Sequence, residues 1–193
     1  MPTAAAAPDF SLASDSGKSV SLKDFRSKYL VLYFYPKNDT PGCTREAVAF
    51  TEALSAFREA GAEVVGVSKD SVASHGKFRG KHNLEISLLS DPDLTVHRAY
   101  GAFGEKVMYG KRVEGVIRST FLIGPGGDIV RAWKGVKVDG HAAQVLAAVT
   151  GGGEVAPGPT RKTAAAKAES KPSATKRAAV AAKPAAPKKS AKP

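Results

Sequence analysis

The sequence predicts an α/β domain over residues 1–150, a mixed central sheet with helices on both faces, followed by a disordered basic arm over residues 151–193. Three observations carry that reading. Short continuous runs of aliphatic and aromatic residues alternate with longer stretches in which apolar residues recur at helical spacing, the pattern of strand and helix units. Glycine-centred turns between short apolar segments stand toward both ends of that region, so hairpins add antiparallel strands to the sheet. At residue 151 large apolar residues nearly vanish.

In chain order, Phe10-Ser11-Leu12 and Val20-Ser21-Leu22 alternate apolar and polar residues on either side of Ser16-Gly17-Lys18, which predicts an edge hairpin. Leu30-Val31-Leu32-Tyr33-Phe34-Tyr35 predicts a central strand buried on both faces and ended by Pro36. Thr40 as N-cap and Pro41 as first helical residue open a helix. Its apolar face repeats at Ala47, Phe50, Leu54 and Phe57, and Gly61 stops it. Val64-Val65-Gly66-Val67-Ser68 is a second buried strand, residues 71 to 82 the helix returning from it, and Ile86-Ser87-Leu88-Leu89 a third strand. Asp91-Pro92-Asp93 predicts a helix start leading to Leu94, Val96 and Ala99-Tyr100. Gly101, Gly104 and Gly110 mark a loop-rich passage. Residues 118–123 and 129–133 predict strands of a hairpin joined by Gly124-Pro125-Gly126-Gly127-Asp128, and residues 141–149 a last helix.

With 193 residues, 42 % of them hydrophobic, the chain can build one ordinary core. Its net charge of +11 is uneven: the arm holds 10 of the 29 Lys and Arg but 2 of the 18 Asp and Glu, and so carries +8. Rich in Ala, Lys and Pro and without aromatics, the arm cannot bury enough apolar area to offset its ordering entropy. It is similar to the arms of linker-histone-like proteins, which implies nonspecific nucleic-acid binding through phosphate contacts; the alternative is a solubilising arm with no partner. No apolar run of about 18 residues is present to span a bilayer, and Met1-Pro2-Thr3-Ala4 lacks the basic start of a secretory signal. The single cysteine cannot form an intramolecular disulfide, so a reducing, cytoplasmic setting is expected.

That cysteine, Cys43, falls in the first turn of the helix opened by Thr40-Pro41-Gly42. The N–H groups of a first turn lack intrahelical partners and carry the positive end of the macrodipole, so a sulfur there is favoured as thiolate, the nucleophilic form. Taken alone, a single cysteine is more often an inert small apolar residue than a nucleophile. His75, His82, His97 and His141 show no metal-ligand spacing and are read as structural or surface residues. Gly124-Pro125-Gly126-Gly127 is read as a turn, because no Lys-Ser/Thr helix follows it as a phosphate cradle requires.

Pro36-x-x-x-Thr40-x-x-Cys43 has the spacing of the peroxiredoxin active-site motif, and Tyr33-Phe34-Tyr35-Pro36 through Thr40-Pro41-Gly42-Cys43-Thr44 resembles the bacterioferritin comigratory protein or peroxiredoxin Q branch. Leu88-Leu89-Ser90-Asp91, Tyr100-Gly101 to Gly104-Glu105-Lys106, and Arg118-Ser119-Thr120-Phe121-Leu122-Ile123 are similar to passages of that branch in the same order, so the resemblance spans about residues 8 to 150. It implies a thioredoxin-like fold and a thiol-dependent peroxidase acting without metal, haem or flavin. Hydrogen peroxide and organic hydroperoxides are the implied substrates.

The resemblance also implies roles. Cys43 attacks the peroxide, Thr40 offers it a hydroxyl, Arg118 supplies a permanent positive charge, Pro36 shields the sulfur, and Glu46 orients the arginine. Without it Thr40 reads equally as a helix cap, Arg118 as a surface residue and Glu46 as a solvated first-turn carboxylate. The branch often carries a resolving cysteine five residues after the first; here that position is Val48. The chain therefore resembles the one-cysteine version, recycled by an external thiol such as thioredoxin or glutathione with glutaredoxin, and is expected to be a monomer. The alternative function is a DNA-associated, thioredoxin-like redox sensor that does not turn over significantly. Cytoplasmic localisation, near the nucleoid if the arm binds DNA, completes the expectation.

Overall fold

The structure, a computed structural model, describes residues 5–108 and 111–151. The predicted arm lies outside the described residues, apart from Gly151. Nine strands and five α-helices follow in order among them: β1 (Ser11–Ser14), β2 (Ser19–Ser21), β3 (Tyr29–Phe34), α1 (Pro41–Glu52), α2 (Leu54–Glu59), β4 (Ala62–Ser68), α3 (Val72–His82), β5 (Ser87–Ser90), α4 (Thr95–Ala99), β6 (Phe103–Met108), β7 (Lys111–Val116), β8 (Ser119–Ile123), β9 (Ile129–Lys134) and α5 (His141–Thr150). A 3-10 turn, Leu22–Phe25, sits between β2 and β3.

Seven strands form one sheet in the order β2-β1-β5-β4-β3-β8-β9. β3 pairs in parallel with β4, and β4 with β5, while β8 runs antiparallel to β3 and the two end hairpins complete the mixed sheet. The period of two in β3 divides the core. Val31 and Tyr33 point to one face, where Phe50, Phe57, Phe78 and Val145 of four helices cover them. Leu30, Leu32 and Phe34 point to the other, against Phe10, Val96, Tyr100 and Phe121. The predicted α/β fold, thioredoxin-like with helices on both faces, is the observed one.

Four details differ from the sequence reading. The single helix expected between Thr40 and Gly61 is two, broken at Ala53, whose N–H reaches both Ala49 and Thr51 carbonyls in a tightened turn. Ala47, Phe50, Leu54 and Phe57 are nonetheless all buried, so their spacing is blind to the break. The helix expected to start at Asp91 starts at Thr95, because the buried Asp91 carboxylate instead accepts from the Thr95 and His97 N–H groups ahead of it. The passage read as loop holds the β6–β7 hairpin, a separate two-stranded ribbon. Its strands scatter Phe, Val and Met among Gly, Lys, Arg and Glu, and so lack the alternation by which a strand is read. Finally, β3 ends at Phe34, and Tyr35, though buried, already belongs to the turn.

Among the described residues no helix is long and apolar enough to cross a membrane.

Candidate active site

β3 delivers the chain to the end of the sheet at Phe34, and residues 35–40 turn it into α1. Thr40 takes the extended N-cap conformation (φ −95°, ψ 148°) and Pro41 the first helical position, where its missing N–H costs nothing. Thr44 N–H donates to Thr40 O at 2.8 Å. The Gly42 and Cys43 N–H groups precede that first helical bond, so they form the electropositive end of α1. Cys43, 2 % exposed, packs into the core on the side of Ala47.

Sheet register brings the arginine. β8 runs antiparallel to β3 with Ser119 opposite Phe34, which places Arg118, one residue before Ser119, at the end of the sheet where the chain turns toward Cys43. Its Nη2 donates to Cys43 Sγ at 3.2 Å, and its Nη1 to Glu46 Oε2. Glu46 lies three residues after Cys43, a spacing that puts both on one helix face. Read alone as a solvated carboxylate, it is 2 % exposed; the fold buries it because the guanidinium is there to pair with it. Burial pushes the Glu46 carboxyl up to about 7, against the lowering effect of Arg118. Burial works against the Arg118 charge, and Glu46 and Cys43 more than compensate, raising its pKa above the ordinary value.

Thr40 makes no side-chain cap bond. Its hydroxyl instead donates to Lys37 O at 3.3 Å, so of the two roles read for it the helix cap is not taken. Pro36, half-buried, lies at the start of the same turn. A Cβ added to Gly42 would stand 3.4 Å from Arg118 Nη2 and 4.0 Å from Val138 Cγ2, so this glycine faces both the guanidinium and the loop after β9. That loop is tied to α1 by Arg45 and Asp139 at 3.2 Å.

The structure thus brings Cys43, Arg118 and Glu46 into direct contact and places Thr40 and Pro36 on the turn leading to them. A fixed cation and a helix N-terminus converge on one sulfur, an arrangement suited to stabilising negative charge that develops on a small electrophile bound there. Among the described residues no three His, Cys, Asp or Glu side chains gather as a metal site. Sequence reasoning missed Val138, which stands beside Gly42 in the site but 95 positions from the cysteine with no motif around it.

Residues 3–132 match the model of the AhpC/TSA family. Peroxiredoxin Bcp of Xanthomonas campestris is 48 % identical over 145 residues, covering 75 % of this chain and 91 % of that protein. Peroxiredoxin Bcp of Bacillus subtilis is 46 % identical over 140 residues, covering 72 % and 89 %. A solved structure of Xanthomonas campestris peroxiredoxin Q matches with a TM-score of 0.71 at 46 % identity over 75 % of this chain and 92 % of that one.

Proposed function

The chain belongs to the AhpC/TSA family and is a one-cysteine peroxiredoxin of the Bcp and Q branch, a thiol-dependent peroxidase, and on that premise we propose that Cys43 is the peroxide-reducing residue. The observation that carries the assignment is the Arg118 hydrogen bond to its sulfur. The thiolate attacks the terminal oxygen of a hydroperoxide, the O–O bond breaks heterolytically, and its electron pair departs on the second oxygen, which takes a proton to leave as water or alcohol. Sulfur is oxidised to the sulfenic acid. Negative charge moves from sulfur toward the leaving oxygen, so donors fixed around both oxygens lower the barrier more than they aid binding. Arg118 and the Gly42 and Cys43 N–H groups supply that field. The Thr40 hydroxyl exchanges its long bond to Lys37 O for the peroxide, Pro36 keeps bulk water from the sulfur, and Glu46 aims the guanidinium.

Recycling uses an external thiol, since position 48 is valine and the chain has no second cysteine. One thiol condenses with the sulfenic acid, releasing water and leaving a mixed disulfide; a second thiol attacks that disulfide, freeing Cys43. Thioredoxin, or glutathione with glutaredoxin, fits this step. The protein works as a cytoplasmic monomer. Its domain, residues 1–150, is followed by the basic arm of residues 151–193, whose charge of +8 favours nonspecific nucleic-acid contact and a place near the nucleoid.

The test is a peroxide pulse followed by either thioredoxin with its reductase and NADPH, or glutathione with glutaredoxin. Sustained peroxide consumption with one of them supports the enzyme and names its reductant. Stoichiometric oxidation that then stalls with both, accompanied by altered DNA affinity, favours a DNA-associated redox sensor instead.

A further inference from the structure

Between Pro36 and Thr40 the turn into α1 is largely open to solvent, yet Asn38 is 6 % exposed while Lys37 and Asp39 beside it are exposed. Its polar atoms are committed in several directions. Oδ1 accepts from Tyr35 Oη at 2.8 Å, Nδ2 donates to Ser74 Oγ at 2.9 Å and faces His75 Nδ1 at 3.2 Å, and the backbone N–H donates to Asp70 Oδ2 at 2.8 Å. Because the amide can only donate from Nδ2, His75 Nδ1 is the acceptor. Asp70 is fixed in turn by the Ser68 hydroxyl at 2.8 Å. A second tie follows immediately: Asp39, at φ 57° in the left-handed region, accepts from Lys81 Nζ at 2.6 Å and His82 Nε2 at 2.9 Å. A non-glycine residue persists in that conformation where its surroundings over-determine it. The turn is therefore pegged to both ends of α3, an element with no residue in the site.

We propose that Asn38 is a positioning residue for peroxide reduction: held by Tyr35, Asp70, Ser74 and His75, it fixes the turn that carries Pro36 and Thr40 relative to the sulfur. This rests on the reading of Cys43 as the peroxide-reducing residue. A peroxide is bound by few atoms, so its two oxygens must meet sulfur and hydroxyl in one narrow geometry, and small displacements of the turn slow attack without changing the sulfur itself. Reduction of the sulfenic acid by a small thiol does not use the Thr40 hydroxyl, so releasing the turn does not slow it.

The experiment measures two half-reactions on the full chain: single-turnover oxidation of Cys43 by hydrogen peroxide, and reduction of the sulfenic acid by dithiothreitol. Asn38→Ala and His75→Leu are expected to slow oxidation by about tenfold to a hundredfold and to leave reduction no slower than in wild type. His75→Asn, whose amide oxygen replaces the Nδ1 acceptor, is expected to recover most of the oxidation rate. Equal oxidation rates in wild type and Asn38→Ala would overturn the proposal, as would equal losses in both half-reactions with His75→Asn no better than His75→Leu. Should Asn38→Ala not fold, the two His75 variants decide. A wild-type sulfur that does not react at all would instead overturn the reading of Cys43, and the proposal with it.

Discussion

Arg118 Nη2 stands 3.2 Å from Cys43 Sγ although 75 residues separate the two in sequence, and the same guanidinium pairs with Glu46 through Nη1. One rigid fork thereby links the sulfur, the cation and a buried carboxylate, and its planar geometry serves both partners at once.

Arg118→Ala is expected to slow oxidation of Cys43 by peroxide by about 10²-fold or more, the usual loss when a donor to the developing charge is removed. Arg118→Lys keeps the charge and loses the fork, and so falls between wild type and Ala. Stopped-flow rates at neutral pH check both; a lysine variant as fast as wild type would mean that charge alone suffices.

Two buried groups give opposite pH slopes to stability. Burial raises Glu46 from 4.5 to about 7, so the folded chain keeps a proton the unfolded chain releases; that stabilisation is full below pH 4.5 and lost as pH rises through about 7. Burial lowers His141 from 6.5 to about 4, so its stabilisation is full above pH 6.5 and lost as pH falls through about 4. Between pH 4.5 and 6.5 the two slopes oppose each other. Thermal melts across pH are expected to show a steeper acid loss in Glu46→Gln than in wild type, and a Tm that falls more with rising pH in His141→Gln. Parallel wild-type and variant curves would contradict both assignments.

Gly66→Ala is expected to cost about 1–3 kcal/mol in a denaturant titration, the range for overpacking a core. A Cβ there would stand 2.6 Å from Tyr33 Oη and 2.7 Å from Cζ, and the Tyr33 ring, stacked on Tyr35 and Phe50 at centroid distances of 5.5 and 4.8 Å, has no room to withdraw. An unchanged midpoint would mean the ring yields.

If the arm binds DNA, nonspecific retention should fall with salt. With half of its ten cations on phosphates, log K against log salt slopes at about −4 to −5. Removing residues 151–193 should abolish both binding and slope; equal retention without them would assign the binding to the domain, and no retention by the full chain would leave the arm a solubilising segment.

The strands of the main sheet were legible because their residues are decided by burial. β3 is apolar at every position since Val31 and Tyr33 meet one layer and Leu30, Leu32 and Phe34 the other, and a continuous run is what such a strand must look like. Cys43 was legible through the cap and proline before it. The Arg118–Glu46–Cys43 contact was not, on physical grounds alone: it depends on β8 pairing antiparallel to β3 with Ser119 opposite Phe34, a register no local pattern records, and the family motif was needed to find it. Asn38 was illegible for a different reason, because an asparagine in a turn looks the same whether it faces water or a buried histidine. The β6–β7 ribbon interleaves its apolar residues with Gly, Lys, Arg and Glu without a strict alternation and so carried no signal.

The central claim, that Cys43 acting with Arg118 performs the peroxidase reaction, is tested most directly by peroxide consumption with dithiothreitol in wild type and Cys43→Ser, with intact mass recorded after one peroxide pulse. The account predicts sustained consumption and a single added oxygen on wild type, and neither on Cys43→Ser. Consumption that survives in Cys43→Ser, or a wild-type thiol left unmodified by the pulse, would contradict it.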